Sequence, residues 1–215
     1  MKKQLLLITL FLIATFVFQM ASAQYSTKEV KQSLDMKPPK DVRRQAKDYE
    51  KQGYREAVGG LTIERQLTNA WMKEVETDDK GFPKYLFAGS TAVGETQIAA
   101  KLQANEAAKL DLAGQIATSV AALIENNIAN SQLNTEEAAS VTKTVAASKS
   151  IIAQKLSRVI PVVEMYRNIG VNMEANVRIA YSQEMAMEQA KEVVRKSLEE
   201  ETNILQDKLD KLMKF

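Results

Sequence analysis

"VNMEANVRIAYS", residues 171–182, decides the class of fold. Val171, Met173, Ala175, Val177, Ile179 and Tyr181 alternate with Asn172, Glu174, Asn176, Arg178, Ala180 and Ser182. Successive side chains of a strand point to opposite faces, so this stretch predicts a half-buried strand. Just before it, "RVIPVVEMYRNIG" (158–170) is β-branched and apolar. Pro161 has no N–H to give a ladder, which suits a strand start or an edge. Asn168 and Gly170 supply turn chemistry, and the two runs together predict a hairpin.

Upstream, "KYLFAGSTAV" (84–93) reads as a strand running into a turn. "ETQIAAKLQANEAAKLDLAGQI" (95–116) predicts a long alanine-rich helix. Ile98, Leu102, Leu112 and Ile116 form a bulky side, and Ala100, Ala104, Ala107 and Ala108 a small one. Two apolar sides imply contact on both, or very close approach of one partner. "ATSVAALIENN" (117–127) either extends that helix or forms a strand. Periodicity does not separate the two in so short a run, and the expectation adopted is a strand over 119–126. "NTEEAASVTKTVAASKSIIAQKL" (134–156) predicts a helix capped by Asn134 or Thr135, with Glu136 and Glu137 placed to suit its dipole. A closing helix is expected from Ser182 or Gln183 to about Met213. Its stripe is Met187, Ala190, Val194, Leu198, Leu205, Leu209 and Leu212, interrupted near Glu201-Thr202. Docking on its own domain and coiled-coil self-association are both open to it.

The order β-α-β-α-β-β-α is that of an α/β (α+β) chain, a two-layer sandwich of a small mixed sheet with helices over residues 84–190. Residues 191–215 form the C-terminal helix. Residues 24–83 read as a helical N-terminal extension. A polar stretch ends at Pro38-Pro39. A helix follows from about Asp41 to Gln52, with Val42, Ala46 and Tyr49 on one face and Gly53 as its stop. Gly59-Gly60 breaks the chain, and a second helix carries Ile63, Leu67, Ala70 or Trp71, and Val75. Trp71, the only tryptophan, reads first as the anchor of this helix pair. Its other reading is a platform for a ligand.

Residues 1–23 have the three parts of a secretory signal. Lys2 and Lys3 are the positive start, Leu5 to Phe18 the apolar core, and Ala21-Ser22-Ala23 an A-x-A cleavage site. The core falls short of the ~20 residues of a span, so cleavage after Ala23 is expected. No later stretch is uninterruptedly apolar over ~18 residues, so no transmembrane anchor is expected in the mature chain.

The chain has 29 basic and 27 acidic residues, and loss of Lys2 and Lys3 makes them equal. No sequence block carries a single-sign excess, so nucleic acid is not expected as a partner. The absence of cysteine and histidine excludes Ser-His-Asp and Cys-His catalysis and the usual zinc sites. "TDDKGFP" (77–83) is a turn rather than a calcium loop, since Lys80 stands at a ligand position. "GSTAVGET" (89–96) approaches the phosphate-binding pattern G-x-x-x-x-G-K-[ST], with Glu95 where the lysine belongs. A carboxylate about 4 Å from a phosphate repels it by about 4 kcal/mol at intermediate dielectric. The glycines are then expected to let a strand end and a helix begin without Cβ clashes. Glu136-Glu137, Glu199-Glu200-Glu201 and the pair Glu174 and Arg178 read as solvated surface charge. No catalytic, cofactor-binding or metal-binding residue is expected, and Trp71 is the one ligand-binding candidate.

"YLFAGSTAVGETQIAAKLQANEAAKLDLAGQI" followed by "RVIPVVEMYRNIGVNMEANVRIAYS" resembles the LPP-twenty lipoprotein family over about residues 84–190. That family shares a fold with flagellar-assembly envelope proteins. The resemblance implies a non-catalytic, exported envelope domain, often associated with the outer membrane or cell surface. Lipidated members carry a cysteine after the cleavage site, where this chain has Gln24. The expected function is an exported interaction or scaffold module, in the periplasm or at the outer membrane, whose partner is another envelope protein or a second copy. The alternative is a binding module for a small cell-wall or glycan ligand.

Overall fold

The hairpin is the centre of the fold. In the computed structural model, β3 (Ile160–Ile169) and β4 (Asn172–Ser182) pair antiparallel with Ile169 opposite Asn172. The two-residue loop needs Gly170 at φ +60°, a conformation that glycine takes without a Cβ penalty. A register shift between Pro161 and Val163 marks the start of β3, where the missing proline N–H interrupts the ladder. The structure describes residues 37–128, 131, 133–156 and 159–214. The expected leader with its cleavage site, and the polar stretch to residue 36, lie outside them.

Before the hairpin come α1 (Lys40–Lys51), β1 (Arg55–Glu56), α2 (Ile63–Glu74), β2 (Tyr85–Gly94), α3 (Gln97–Ile128), α4 (Thr135–Ala147) and α5 (Lys149–Lys155). After it come α6 (Gln183–Glu201) and α7 (Gln206–Leu212). The fold is α+β. The sheet order is β1-β3-β4-β2 and every pairing is antiparallel. The expected strand over 119–126 does not form, and with it goes the mixed sheet. Residues 97–128 are one helix. Leu112, Ile116, Val120 and Ile124 recur at intervals of four and are all buried. That spacing continues the helical phase, and no proline interrupts it. Instead, the fourth strand is the two-residue β1 inside the region read as purely helical. Arg55 lies opposite Tyr166 and Glu56 opposite Met165, and Lys40–Phe215 forms one compact unit.

The alternation along β4 sorts the core. Ala175, Val177, Ile179 and Tyr181 face the larger cluster with α3, α4, α5, α6 and α7. Ala180, with Val163 and Met165 of β3, faces a smaller cluster built by Val42 and Ala46 of α1 and Ile63, Leu67 and Ala70 of α2. Both sheet faces are therefore covered in part. α3 changes its buried side along its length. Ala100, Ala104 and Ala108 lie flat on the sheet, fully buried, because only a methyl leaves room for close helix-on-sheet contact. Beyond Leu112 the buried side is bulky and meets other helices. The expectation that Ile98 and Leu102 share the buried side of Leu112 and Ile116 is wrong: they are 80% and 61% exposed.

Local signals set the helix ends. Asn134 caps α4 in a reciprocal box with Glu137. The expected single helix over 134–156 is two, α4 and α5, hinged at Ser148. The single closing helix expected from Ser182 or Gln183 to about Met213 is two, parted just after the interruption of its stripe near Glu201-Thr202, and α6 and α7 fold back onto the domain through buried Val194, Leu198, Leu209 and Leu212. Arg195 bonds Glu199 at 3.1 Å within α6 and Asp210 at 2.6 Å across that bend. By length and composition α3 alone among the described residues could cross a bilayer. Here it is the core helix.

Candidate interaction surfaces

"GSTAVGET" is not a phosphate loop. Gly89 to Val93 continue β2 as extended strand, paired with Arg178 to Glu174, so the turn expected there is absent. Thr96, the last residue of the would-be motif, accepts the N–H of Ala99 at 3.1 Å and caps α3. The N–H groups of Ser90, Ala92 and Gly94 are thus turned to β4, and that of Ala99 is held by the cap.

The reading of Glu174 as surface charge is also overturned. Glu174 is 7% exposed. It accepts the hydroxyl proton of Tyr54 and the Nε proton of Arg167, the latter at 2.6 Å. The Arg167 guanidinium lies 4.7 Å from the Tyr54 ring centre, and Tyr49 meets Tyr54 edge-to-face at 5.6 Å. Burial works against the Glu174 carboxylate, yet the bonds from Arg167 and Tyr54 together hold its pKa below the usual range. Burial, reinforced by the neighbouring carboxylate, pushes Tyr54 up to about 12. The group ties β1's approach to the sheet. Arg178, its sequence partner, instead bonds Glu74 of α2 and stacks on Phe87. A second carboxylate, Glu164, takes a bond from Tyr166 and pairs with Lys101 of α3 at 2.8 Å.

Trp71, on α2, is half-buried against the smaller core cluster. It also lines an open groove of about 400 Å³ with Asp41, Val42, Arg44, Gln45 and Asp48. Both of its expected roles are therefore open to it sterically. Among the described residues no three acidic side chains converge on a point that could hold a metal.

The two edges of the sheet differ. Along β3 the outer edge is blunted. β1 covers Met165 and Tyr166, Pro161 and the register shift interrupt the rest, and Gln66 of α2 accepts the Glu164 N–H at 2.6 Å. The other edge, β2, is ten residues long and contains no charge and no proline. Lys84 accepts the N–H of Gln183 at 3.0 Å, so even-numbered residues bond β4 and odd-numbered ones point outward. The Phe87 carbonyl, on the outward side, accepts from Gln115 at 3.0 Å. Beyond it Gly89, Thr91 and Val93 are exposed, and no hydrogen bond from any described residue reaches their outward N–H and C=O groups. No motif or period in the sequence marks this edge. The signal was the ten-residue run from Tyr85 to Gly94 without a charge.

Comparison of the chain with protein-family models, with curated proteins and with solved structures gave no match.

Proposed function

We propose that this chain is an exported, non-catalytic protein of a cell envelope that acts as an interaction or scaffold module, and that β2 is where it pairs with a second copy. The observation that carries the reading is the free, uncharged stretch Gly89–Val93 at a sheet edge whose opposite side is blunted. Unpaired ladders of this kind are templates for another strand. Gln115 closes one end of the stretch and the start of α3 closes the other. Antiparallel pairing about a two-fold axis at Thr91 then sets Thr91 opposite its own copy and Gly89 opposite Val93. No like charges meet, because the strand has none. The leader sequence and the resemblance to the LPP-twenty family over residues 84–190 support the compartment.

Thr91→Pro removes one outward N–H and leaves the bonds to β4 in place, so the fold is expected to survive and the dimer to fall apart. Sedimentation velocity checks this. Thr91→Cys, in a chain without other cysteines, is expected to oxidise to a symmetric disulfide, since paired Cα atoms at about 5.5 Å lie within its range. A parent protein that stays monomeric at high concentration, with no cross-link at Thr91→Cys, overturns the pairing. Absence from the envelope fractions of expressing cells overturns the compartment.

A second reading has its own observation, the Trp71 groove. An indole beside Asp41, Arg44, Gln45 and Asp48 offers an apolar platform with polar neighbours, the usual chemistry of a small-ligand site. If the groove takes cell-wall sugar fragments, their titration is expected to shift the Trp71 emission, and Asp48→Ala to weaken the effect about tenfold, the loss of one good hydrogen bond. Unchanged emission at millimolar fragment dismisses it.

A further inference from the structure

The charge of this chain is balanced along the sequence and unbalanced on one helix. α1 carries Lys40, Arg43, Arg44, Lys47 and Lys51. At 3.6 residues per turn these five fall within an arc of about 100°. The arc lies away from Val42 and Ala46, which are buried in the smaller cluster. Asp41 and Asp48 flank it on one side and Glu50 on the other. Lys40, Arg43, Arg44, Lys47 and Lys51 line one groove of about 410 Å³ with Asp48. Among the described residues the only ion pair in the stripe is Lys51 with Asp48 at 3.4 Å. The Nε of Arg43 is buried with no hydrogen-bond partner among them.

We infer that this stripe is a docking surface for the phosphate headgroups of an anionic lipid layer. The stripe runs straight along one face of α1, about 18 Å long at 1.5 Å per residue. A planar array of phosphates meets the basic arc without wrapping onto its acidic flanks. A groove-bearing polyanion that closes round the helix also meets Asp41, Asp48 and Glu50 on the flanks, where like charges repel. The stripe carries no aromatic side chain to stack a base. The apolar face of α1 is committed to the core, so the helix adsorbs through charge without inserting. Adsorption of that kind is reversible and screened by salt. The inference is independent of the pairing through β2, which is a different face.

The test uses purified protein beginning at Gln24, so that the apolar leader takes no part. It is sedimented with vesicles of one-third phosphatidylglycerol in phosphatidylcholine, and with phosphatidylcholine alone. Binding is expected to the first and not the second, and to disappear between about 0.05 M and 0.5 M salt. Lys40→Gln, Arg44→Gln and Lys47→Gln together are expected to lower partitioning roughly a hundredfold, about fivefold per charge. The same number of charges removed at exposed Lys80, Lys143 and Lys155 controls for net charge and should cost far less. All six positions are exposed, and unchanged melting confirms folding. No binding to anionic vesicles, equal binding to neutral ones, or an equal loss in the control variant overturns the inference. So does tighter binding to duplex DNA at the same salt, which makes the stripe a nucleic-acid surface. Full competition by millimolar inorganic phosphate at constant ionic strength also overturns it, in favour of a free-phosphate site.

Discussion

Glu174→Ala is expected to lower the unfolding free energy by about 2–3 kcal/mol, the scale of a buried polar group left unsatisfied together with lost packing. The change removes the acceptor of the Tyr54 hydroxyl, and Tyr54 is itself buried. Water does not replace that acceptor without opening the contact between β1 and the sheet. The ion pair with Arg167 adds little, because that guanidinium stays in contact with solvent. For a chain of this size the melting temperature falls by about 6 °C, and calorimetry reads it directly. Glu174→Gln keeps an acceptor oxygen and should recover part of the loss. Equal melting of Glu174→Ala and the parent would refute a structural role for the group.

The same residues shape the pH dependence. The folded-state pKa of Glu174 is lowered, so its contribution is present above the unfolded carboxyl value and is lost as pH falls through the folded one. Tyr54 and Tyr166 are both raised to about 12. For Tyr166 the cause is burial first and the bond to Glu164 second. A raised tyrosine favours the protonated fold, so that stability is full below about pH 10 and lost between about 10 and 12. Tyr54→Phe should flatten the alkaline limb of a stability–pH curve.

The hairpin was legible because its two signals, alternation and a glycine turn, are local and agree. The helix pair and the Asn134 cap were legible for the same reason. The strand expected at 119–126 failed because β-branched and alanine-rich runs of that length suit both states. Tertiary contact decided, through the four-residue spacing from Leu112 to Ile124. β1 was invisible, since two residues between a glycine stop and a glycine break carry no period. Glu174 looked like surface charge because the polar side of β4 was taken to face water. That side is covered near Glu174 by Tyr54, which lies 120 positions earlier in the chain. The basic stripe escaped block-wise counting because Asp41, Asp48 and Glu50 offset most of it along the sequence but stand outside it around the helix.

Gly94→Val is expected to cost about 3 kcal/mol or more, at the upper end of what overpacking does. A Cβ built on Gly94 lies 2.6 Å from the Ala100 nitrogen, 3.0 Å from the Ala99 carbonyl carbon and 3.1 Å from the Ala100 Cα. All three are backbone, and none can swing aside. The Ala100 N–H is also held by the Thr96 carbonyl at 3.0 Å. To admit a side chain, the end of β2 and the first turn of α3 must separate. That separation lifts fully buried Ala100 and its row, Ala104 and Ala108, off the sheet. The expectation that glycine here lets a strand end and a helix begin thus holds for Gly94, with the helix backbone as the neighbour it spares. It does not hold for Gly89, where a Cβ would meet the Val177 carbonyl oxygen at an ordinary 3.4 Å. Gly89→Ala should therefore shift the melting temperature by no more than a degree or two, the scale of a mild strand substitution. Gly94→Val should lower it by about 10 °C or leave the chain unfolded. Gly94→Ala keeps the comparison readable in that case, since the same Cβ contact must already depress the melt. If Gly94→Ala melts with the parent, the close approach of β2 and α3 is not what fixes glycine at this position.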